Sequence, residues 1–178
     1  MSNDTDRDKP IRDISTWTVD RLEAFTATQQ SHELERIRVV AQSHAYRSDE
    51  ARHVRLRWAK LSLNANARLP GDTPWSHDRK TRQNFALRTW IIDHLGPDTD
   101  SDWDPEVLAA DTLAALVLDP SEVTALSTNW SDLPIERIGE LRRYKSKTAH
   151  LDRLLDFLPP GPDKDQLITW TEVREHLP

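Results

Sequence analysis

The amino-acid sequence predicts an all-α protein, built as an orthogonal bundle of six to seven short helices. Only four glycines occur in 178 residues, and the alternating β-branched segments that are typical of strands are scarce. Apolar side chains instead recur at helical spacing, as in the stripe formed by Val54, Trp58, Leu61 and Ala65. Eleven prolines divide the chain into pieces of helical length.

Three helices are predicted in the first half of the chain, after a flexible N-terminal arm at residues 1–15. The first begins after Thr18 as N-cap and continues to about residue 44. The second covers residues 48–68, and the third covers residues 76–96. Their apolar faces are expected to be buried: Leu22, Phe25, Leu34, Ile37 and Ala41 in the first helix, and Phe85, Trp90, Ile91 and Leu95 in the third.

Proline at the first helical position marks two helices in the second half. Asp104 precedes Pro105 and Asp119 precedes Pro120, so each aspartate can accept a hydrogen bond from an unpaired backbone N–H group. A longer helix is expected at residues 134–157, and Asp163 is expected to cap the last one.

The length suits a single domain over residues 16–178. The acidic connector at residues 97–104 allows a division into two sub-bundles, at residues 16–96 and 104–178. Trp58, Trp90 and Trp170 lie on apolar helical faces and are expected to be buried, whereas Trp103, among aspartates, is expected to matter less for stability.

The composition excludes several classes of function. There is no cysteine, which excludes disulfides, thiolate nucleophiles and cysteine-based metal centres. The N-terminal residues are polar where a signal peptide is apolar, and no apolar run approaches the length of a membrane span. The sequence therefore predicts a cytoplasmic protein without a membrane contact, and it predicts no cofactor or metal.

Charge is strongly segregated along the chain, although the net charge is only −6. Residues 47–90 contain ten Lys or Arg and four Asp or Glu, whereas residues 89–136 contain eleven acidic residues and no Lys or Arg. Two lobes of opposite sign can steer charged partners and set the register of an assembly.

The basic segment has the residue types of a nucleic-acid surface. Arginines grip phosphates, amides reach base edges, and an exposed indole stacks on a base. A second basic cluster lies at residues 142–153 and would extend the first if the fold brings them together. The candidate polyanion-binding residues are Arg52, Arg55, Arg57, Lys60, Arg68, Arg79, Lys80, Arg82, Arg142, Arg143, Lys145 and Lys147.

The acidic connector supplies a different hypothesis. Asp98, Asp100 and Asp102 could receive the basic face of a second copy or of another protein, or the basic face could pair within its own chain. The aspartates also alternate as in a calcium-binding loop, but Trp103 and Ala109 occupy the positions where such a loop needs glycine and glutamate. A solvated connector is therefore favoured over a calcium site.

No catalytic motif is present. Arg88 and His94, and Arg143 and His150, have spacings loosely similar to the arginine–histidine pairs of some helical ribonucleases, but such spacings arise by chance in an arginine-rich chain. The leading hypothesis is a non-enzymatic accessory or regulatory subunit that binds nucleic acid or another polyanion. The alternatives are a protein–protein adaptor or self-assembling subunit, and a helical hydrolase or nuclease without a readable motif.

Overall fold

A computed structural model describes residues 13–116 and 118–177 of the chain. Within these residues all regular structure is helical and no strand occurs, which confirms the all-α prediction. Short 3₁₀ helices occur at Ser101–Trp103 and Trp130–Asp132. The α-helices are α1 (Val19–Thr26), α2 (Ser31–Ala45), α3 (Arg52–Arg68), α4 (Pro74–Leu95), α5 (Pro105–Ala114), α6 (Pro120–Thr128), α7 (Ile135–Thr148), α8 (Leu151–Leu155) and α9 (Pro162–Glu175).

The chain divides into two compact units, at Met1–Ala65 and Asn66–Pro178. The boundary lies inside α3, so the acidic connector at residues 97–104 belongs to the second unit. Of the predicted N-terminal arm, residues 1–12 lie outside the described residues. Ile14, near the end of that arm, is buried.

The first unit contains α1, α2 and most of α3. Leu22, Leu34, Ile37 and Ala41 of the predicted stripe are buried, while Phe25 is partly buried and packs edge-on against Trp17. The ring of His44 stacks on Trp58 with 4.3 Å between the ring centroids. These contacts give the unit a core of helical faces, as the apolar spacing predicts.

A single helix was predicted at residues 18–44, and this prediction is wrong. The structure has two helices there, α1 and α2, separated by residues 27–30. At the end of α1 the hydroxyl groups of Thr26 and Thr28 donate to the carbonyls of Leu22 and Phe25. Thr and Gln side chains that bond to the last carbonyls of a helix compete with its continuation. Gln29 adds a third such bond, to the carbonyl of Phe25.

The second unit is organised around two long helices, α4 and α9. Helices α5, α7 and α8 each contact both of them, and α6 contacts α7 and α9. The core consists of apolar side chains from all of these helices, among them Phe85, Leu108, Leu141, Leu154, Leu167 and Trp170. This arrangement places α4 and α7 side by side at the surface of the unit.

Capping explains where the helices begin. Asp104 accepts bonds from the N–H groups of Glu106 and Val107, and Asp119 forms a full capping box with Glu122, as predicted. Helix α4 begins two residues earlier than predicted, because Thr73 is its N-cap and Ser76 is the partner in that capping box.

Two further predicted boundaries differ from the structure. Helix α3 begins at Arg52 rather than after Ser48. Helix α9 begins at Pro162 with Gly161 at the N-cap position, so Asp163 lies in the first turn and is not the cap. Proline at the first helical position leaves no N–H group to satisfy there.

The predicted helix at 134–157 is also divided, into α7 and α8. The hydroxyl of Thr148 donates to the carbonyl of Tyr144, and Nη1 of Arg174 donates to the carbonyl of Thr148 at 2.6 Å. Arg174 lies on α9, so a tertiary contact occupies a carbonyl at the helix end and satisfies it there.

The tryptophans correct two expectations. Trp58 and Trp170 are buried as predicted, but Trp103 is only 2% exposed and Trp90 is only partly buried. The 3₁₀ helix that carries Trp103 packs against α4 and α5. The predicted burial of Trp90 is therefore wrong, and the burial of Trp103 argues against the expectation that it matters less for stability.

Candidate nucleic-acid interface

In the first unit, two of the predicted cations make structural contacts. Arg57 on α3 donates to Asp20 at 2.5 Å and to Glu23 at 2.7 Å, and these hydrogen bonds, Glu23 foremost, raise the pKa of the guanidinium. Nε of Arg55 donates to the carbonyl of Ala45 at the end of α2. Arg52 and Lys60 are exposed on α3.

In the second unit, Lys80 also has a structural contact. Its Nζ donates to the carbonyls of Ala67 and Leu69, at 2.9 and 2.6 Å, where α3 ends. A lysine at this position satisfies helix carbonyls that would otherwise lack a donor. Arg68 is exposed in the last turn of α3.

The structure brings the second and third basic segments together along α4 and α7. We call the contact between them the α4–α7 seam, formed by Asp78, Arg82, Arg143 and Lys147. Asp78 accepts from Nε of Arg143 at 3.2 Å and from Nζ of Lys147 at 2.6 Å, and Arg82 donates to the hydroxyl of Ser146 at 2.9 Å. Two cations thus share one carboxylate while Arg82 binds a neutral hydroxyl, which leaves the seam with two net positive charges.

The other two predicted cations of α7 lie outside the seam. Arg142 is exposed, and Lys145 is exposed while its Nζ donates to the carbonyl of Leu177 at 3.0 Å. Arg142 directly precedes Arg143 of the seam in the sequence, so it adds positive charge close to the seam.

An exposed indole lies on the same face of α4 as the seam. Trp75 is 64% exposed, and the guanidinium of Arg79 lies 5.6 Å from the centroid of its ring. Trp75, Asp78, Arg79 and Arg82 are spaced at i, i+3, i+4 and i+7, which places them on one helical face.

Three adjoining pockets form a continuous groove in the second unit. The first, of about 330 Å³, is lined by Asp78, Arg143 and Lys147 of the seam, by Tyr144 and by apolar side chains that include Leu116 and Leu118. The second, of about 390 Å³, shares Asp78, Lys147 and Ala115 with the first. The third, of about 470 Å³, shares His77 and Ala115 with the second. The groove therefore extends from the seam along α4 to the end of α5.

Seven of the eleven residues that line the third pocket are polar, and we call it the polar pocket. Its polar lining residues are Asn66, His77, Lys80, Thr81, Asn84, Arg88 and Asp111. Arg88 is only 5% exposed, and its guanidinium donates to Asp111 at 2.5 Å and to the carbonyls of Ser101 and Asp102. The burial of Arg88 is therefore compensated by a carboxylate and two carbonyls.

The aspartates of the acidic connector make local hydrogen bonds. Asp100 accepts from the N–H group of Asp102, and Asp98 accepts from that of Thr99. Asp98, Asp100 and Asp102 are all partly buried. Among residues 13–116 and 118–177, no group of three or more His, Asp or Glu side chains converges to hold a metal ion.

The members of the two arginine–histidine pairs lie in different surroundings. Arg88 is held by the connector and α5, whereas His94 stacks on Trp90 and bonds its carbonyl. Arg143 binds Asp78, whereas His150 packs against Phe85, with Nε2 3.4 Å from the hydroxyl oxygen of Thr112.

Sequence reasoning missed two groups in this groove. Asp78, the centre of the seam, is one of only four acidic residues in the basic segment, and it was not identified as a partner of α7. The polar pocket was missed as well, although His77, Thr81, Asn84 and Arg88 follow the i, i+4, i+7, i+11 spacing of one helical face. A search for polar stripes as well as apolar ones would have found it.

Comparisons of the chain with models of protein families, with curated proteins and with solved structures found no match. In the part of the chain that the structure describes, no helix is both long enough and apolar enough to cross a membrane.

Proposed function

We propose that this protein is a non-enzymatic accessory or regulatory subunit that binds nucleic acid through the groove of its second unit. Another polyanion is the alternative ligand that the test must separate from it. The cytoplasmic location expected from the sequence is part of this proposal.

The observation that carries the proposal is the seam itself. Arg82, Arg143 and Lys147 meet on two neighbouring helices, where Asp78 is the carboxylate that pairs with Arg143 and Lys147. Guanidinium and ammonium groups are the usual donors to phosphate oxygens. Arg142 and Arg79 add positive charge on either side of the seam.

Trp75 favours nucleic acid over polyanions that have no aromatic rings. An exposed indole offers a stacking surface to an unpaired base, and such stacking contributes about 1–3 kcal/mol per base. The neighbouring Arg79 leaves most of the Trp75 side chain accessible. Because bases in a duplex are already stacked, this feature favours a single strand.

The first prediction tests the seam and the neighbouring Arg142 by replacing Arg82, Arg142 and Arg143 with glutamine. We expect weaker binding to labelled single strands of every sequence, with the dependence of log K on log salt reduced by about 0.7 per lost phosphate contact. Fluorescence anisotropy over a series of salt concentrations measures both quantities.

Arg153→Gln is the matched control, because Arg153 pairs with Asp93 near the opposite end of α4 and lies outside the groove. It should leave the slope unchanged. Unchanged binding in the triple variant would refute the seam as the phosphate site. Trp75→Ala should weaken binding to single strands but not to polyphosphate; equal losses would favour a general polyanion.

A protein–protein adaptor is the second candidate, and exposed apolar side chains favour it. Ile135, at the start of α7, is 79% exposed, and Trp130 nearby in the sequence is also exposed. Exposed apolar side chains near a charged surface are typical of a docking site. If the protein assembles with itself, light scattering should give a mass above that of a monomer. The double variant Asp100→Lys with Asp102→Lys should lower that mass.

A further inference from the structure

We propose that the polar pocket receives one unstacked nucleobase of a bound single strand, and that Asn66 recognises an amino group on that base. This inference rests on the proposed function and specifies its ligand: the seam holds phosphates, and the polar pocket reads a base.

Asn66 is the strongest indication that the pocket binds a ligand. The residue is only 4% exposed and lines the pocket near the end of α3. Its Nδ2 donates to the carbonyl of Lys80 at 2.9 Å, which fixes the orientation of the amide, while its buried Oδ1 has no hydrogen-bond partner. An acceptor buried without a donor is costly. Because Oδ1 is closed off from solvent, the wall of the pocket would have to open slightly, and a ligand N–H group that then reaches Oδ1 would satisfy it.

Asp111 supplies a second acceptor in the same pocket. Its Oδ2 binds Arg88, and its side chain is half exposed, so the carboxylate remains accessible from the groove. The buried guanidinium of Arg88 already donates to three oxygens, which fixes Asp111 in place. Two oriented acceptors favour a ligand edge that is rich in N–H donors.

The size and the lining of the pocket suit a ring with polar edges. Its volume of about 470 Å³ lies within the range of small-molecule sites, about 300–1,000 Å³. The ring of Phe85 and the methyl groups of Ala114 and Ala115 supply apolar wall between the polar groups. A nucleobase combines an apolar face with donors and acceptors at its edge.

The position of the pocket beside the seam connects the base to the phosphates. On α4, His77 and Thr81 of the pocket directly precede Asp78 and Arg82 of the seam in the sequence. The shared lining residues make the groove continuous between the two sites. A strand whose phosphates lie on the seam can therefore place a base in the polar pocket.

The second prediction compares oligo(dC) with oligo(dU) in the full-length protein. The two bases are similar in size, but only cytosine carries an exocyclic amino group. We expect about tenfold tighter binding of oligo(dC), because uracil presents a carbonyl where the buried acceptor needs a donor. Asn66→Leu should remove this preference and leave the salt dependence unchanged.

Asn64→Leu is the matched control, since Asn64 is exposed on the same helix. It should keep the preference for oligo(dC). If Asn66→Leu fails to fold by circular dichroism, the partly exposed pocket residues Thr81 and Asn84 replace it, and Thr81→Val with Asn84→Ala should reduce the preference.

The possible failures are distinct. Equal affinity of the wild type for both strands, with a normal salt dependence, would overturn base recognition and leave the proposed function intact. A preference that survives Asn66→Leu in a folded protein would also overturn the role of Asn66. No binding to either strand at low salt would overturn both proposals.

Discussion

At the scale of the residue, the role of each arginine depends on the oxygen that receives its hydrogen bonds. Arg57 binds carboxylates of α1, Arg55 binds a carbonyl of α2, and Arg88 is buried between the connector and α5. Arg143 shares Asp78 with Lys147 and remains partly exposed. All four look alike in the sequence, but only Arg88 and Arg143 line the groove, and only Arg143 belongs to the seam.

The third prediction concerns Trp103. Because this side chain is almost fully buried beside α4, Trp103→Ala should lower the free energy of unfolding by about 3–5 kcal/mol. Trp75→Ala should change it by less than about 0.5 kcal/mol, because Trp75 is largely exposed. Urea denaturation followed by circular dichroism compares the two, and a smaller loss for Trp103 than for Trp75 would contradict the structure.

At the scale of the element, the junction between α7 and α8 depends on contacts from other helices. Arg174 on α9 holds the carbonyl of Thr148 and both carboxylate oxygens of Asp152. His150 lies within this junction, against Phe85 on α4 and Thr112 on α5. Burial lowers the pKa of His150 to about 4, and the positive charges of Arg174 and Arg88 act in the same direction.

The fourth prediction follows from this lowered pKa. An unfolded histidine titrates near 6.5, so between about pH 6.5 and pH 4 the unfolded chain binds a proton that the folded chain does not. Stability due to neutral His150 is therefore complete above pH 6.5 and is lost as the pH falls, by roughly 2–3 kcal/mol in total.

Urea denaturation at pH 7 and pH 4.5 measures this loss. The His150→Gln variant, which cannot titrate at this position, should lose less stability between the two pH values than the wild type. His32→Gln is the matched control, because His32 is exposed. A pH dependence that is identical in the wild type and His150→Gln would contradict the burial of this ring.

At the scale of the whole molecule, the predicted basic face is divided between two compact units. Arg52, Arg57 and Lys60 belong to the first unit, whereas Arg82, Arg142 and Arg143 belong to the second. The acidic segment from residue 89 to residue 136 lies entirely in the second unit, together with the seam. The proposal therefore depends on which cations lie together in the fold, and not on the net charge of a sequence segment.

The fifth prediction separates the effect of the local arrangement of cations from the effect of net charge. Replacement of Arg52, Arg57 and Lys60 by glutamine removes three positive charges, the same number as the triple variant of the second unit. If the groove is the binding site, the first-unit variant should keep most of its affinity for single strands at moderate salt, because its substitutions change no residue that lines the groove. Equal losses in the two triple variants, measured by anisotropy, would assign binding to net charge alone.

The sequence by itself determined the helical class, the capped helix starts and the exclusion of thiol chemistry. These features are local: an aspartate before a proline reaches N–H groups two and three residues away, as at Asp104 and Asp119. Apolar spacing likewise predicted the burial of Leu22, Ile37 and Trp58. Such interactions depend on neighbours that are already fixed by the sequence.

Only the tertiary structure decided which cations meet and which tryptophan is buried. Asp78 joins α4 to α7 across more than sixty residues, and Arg174 supplies the bond at the end of α7 from another helix. Trp103 is buried because the 3₁₀ helix packs against α4. Contacts between residues far apart in the chain depend on how helices pack, and no local spacing encodes that packing.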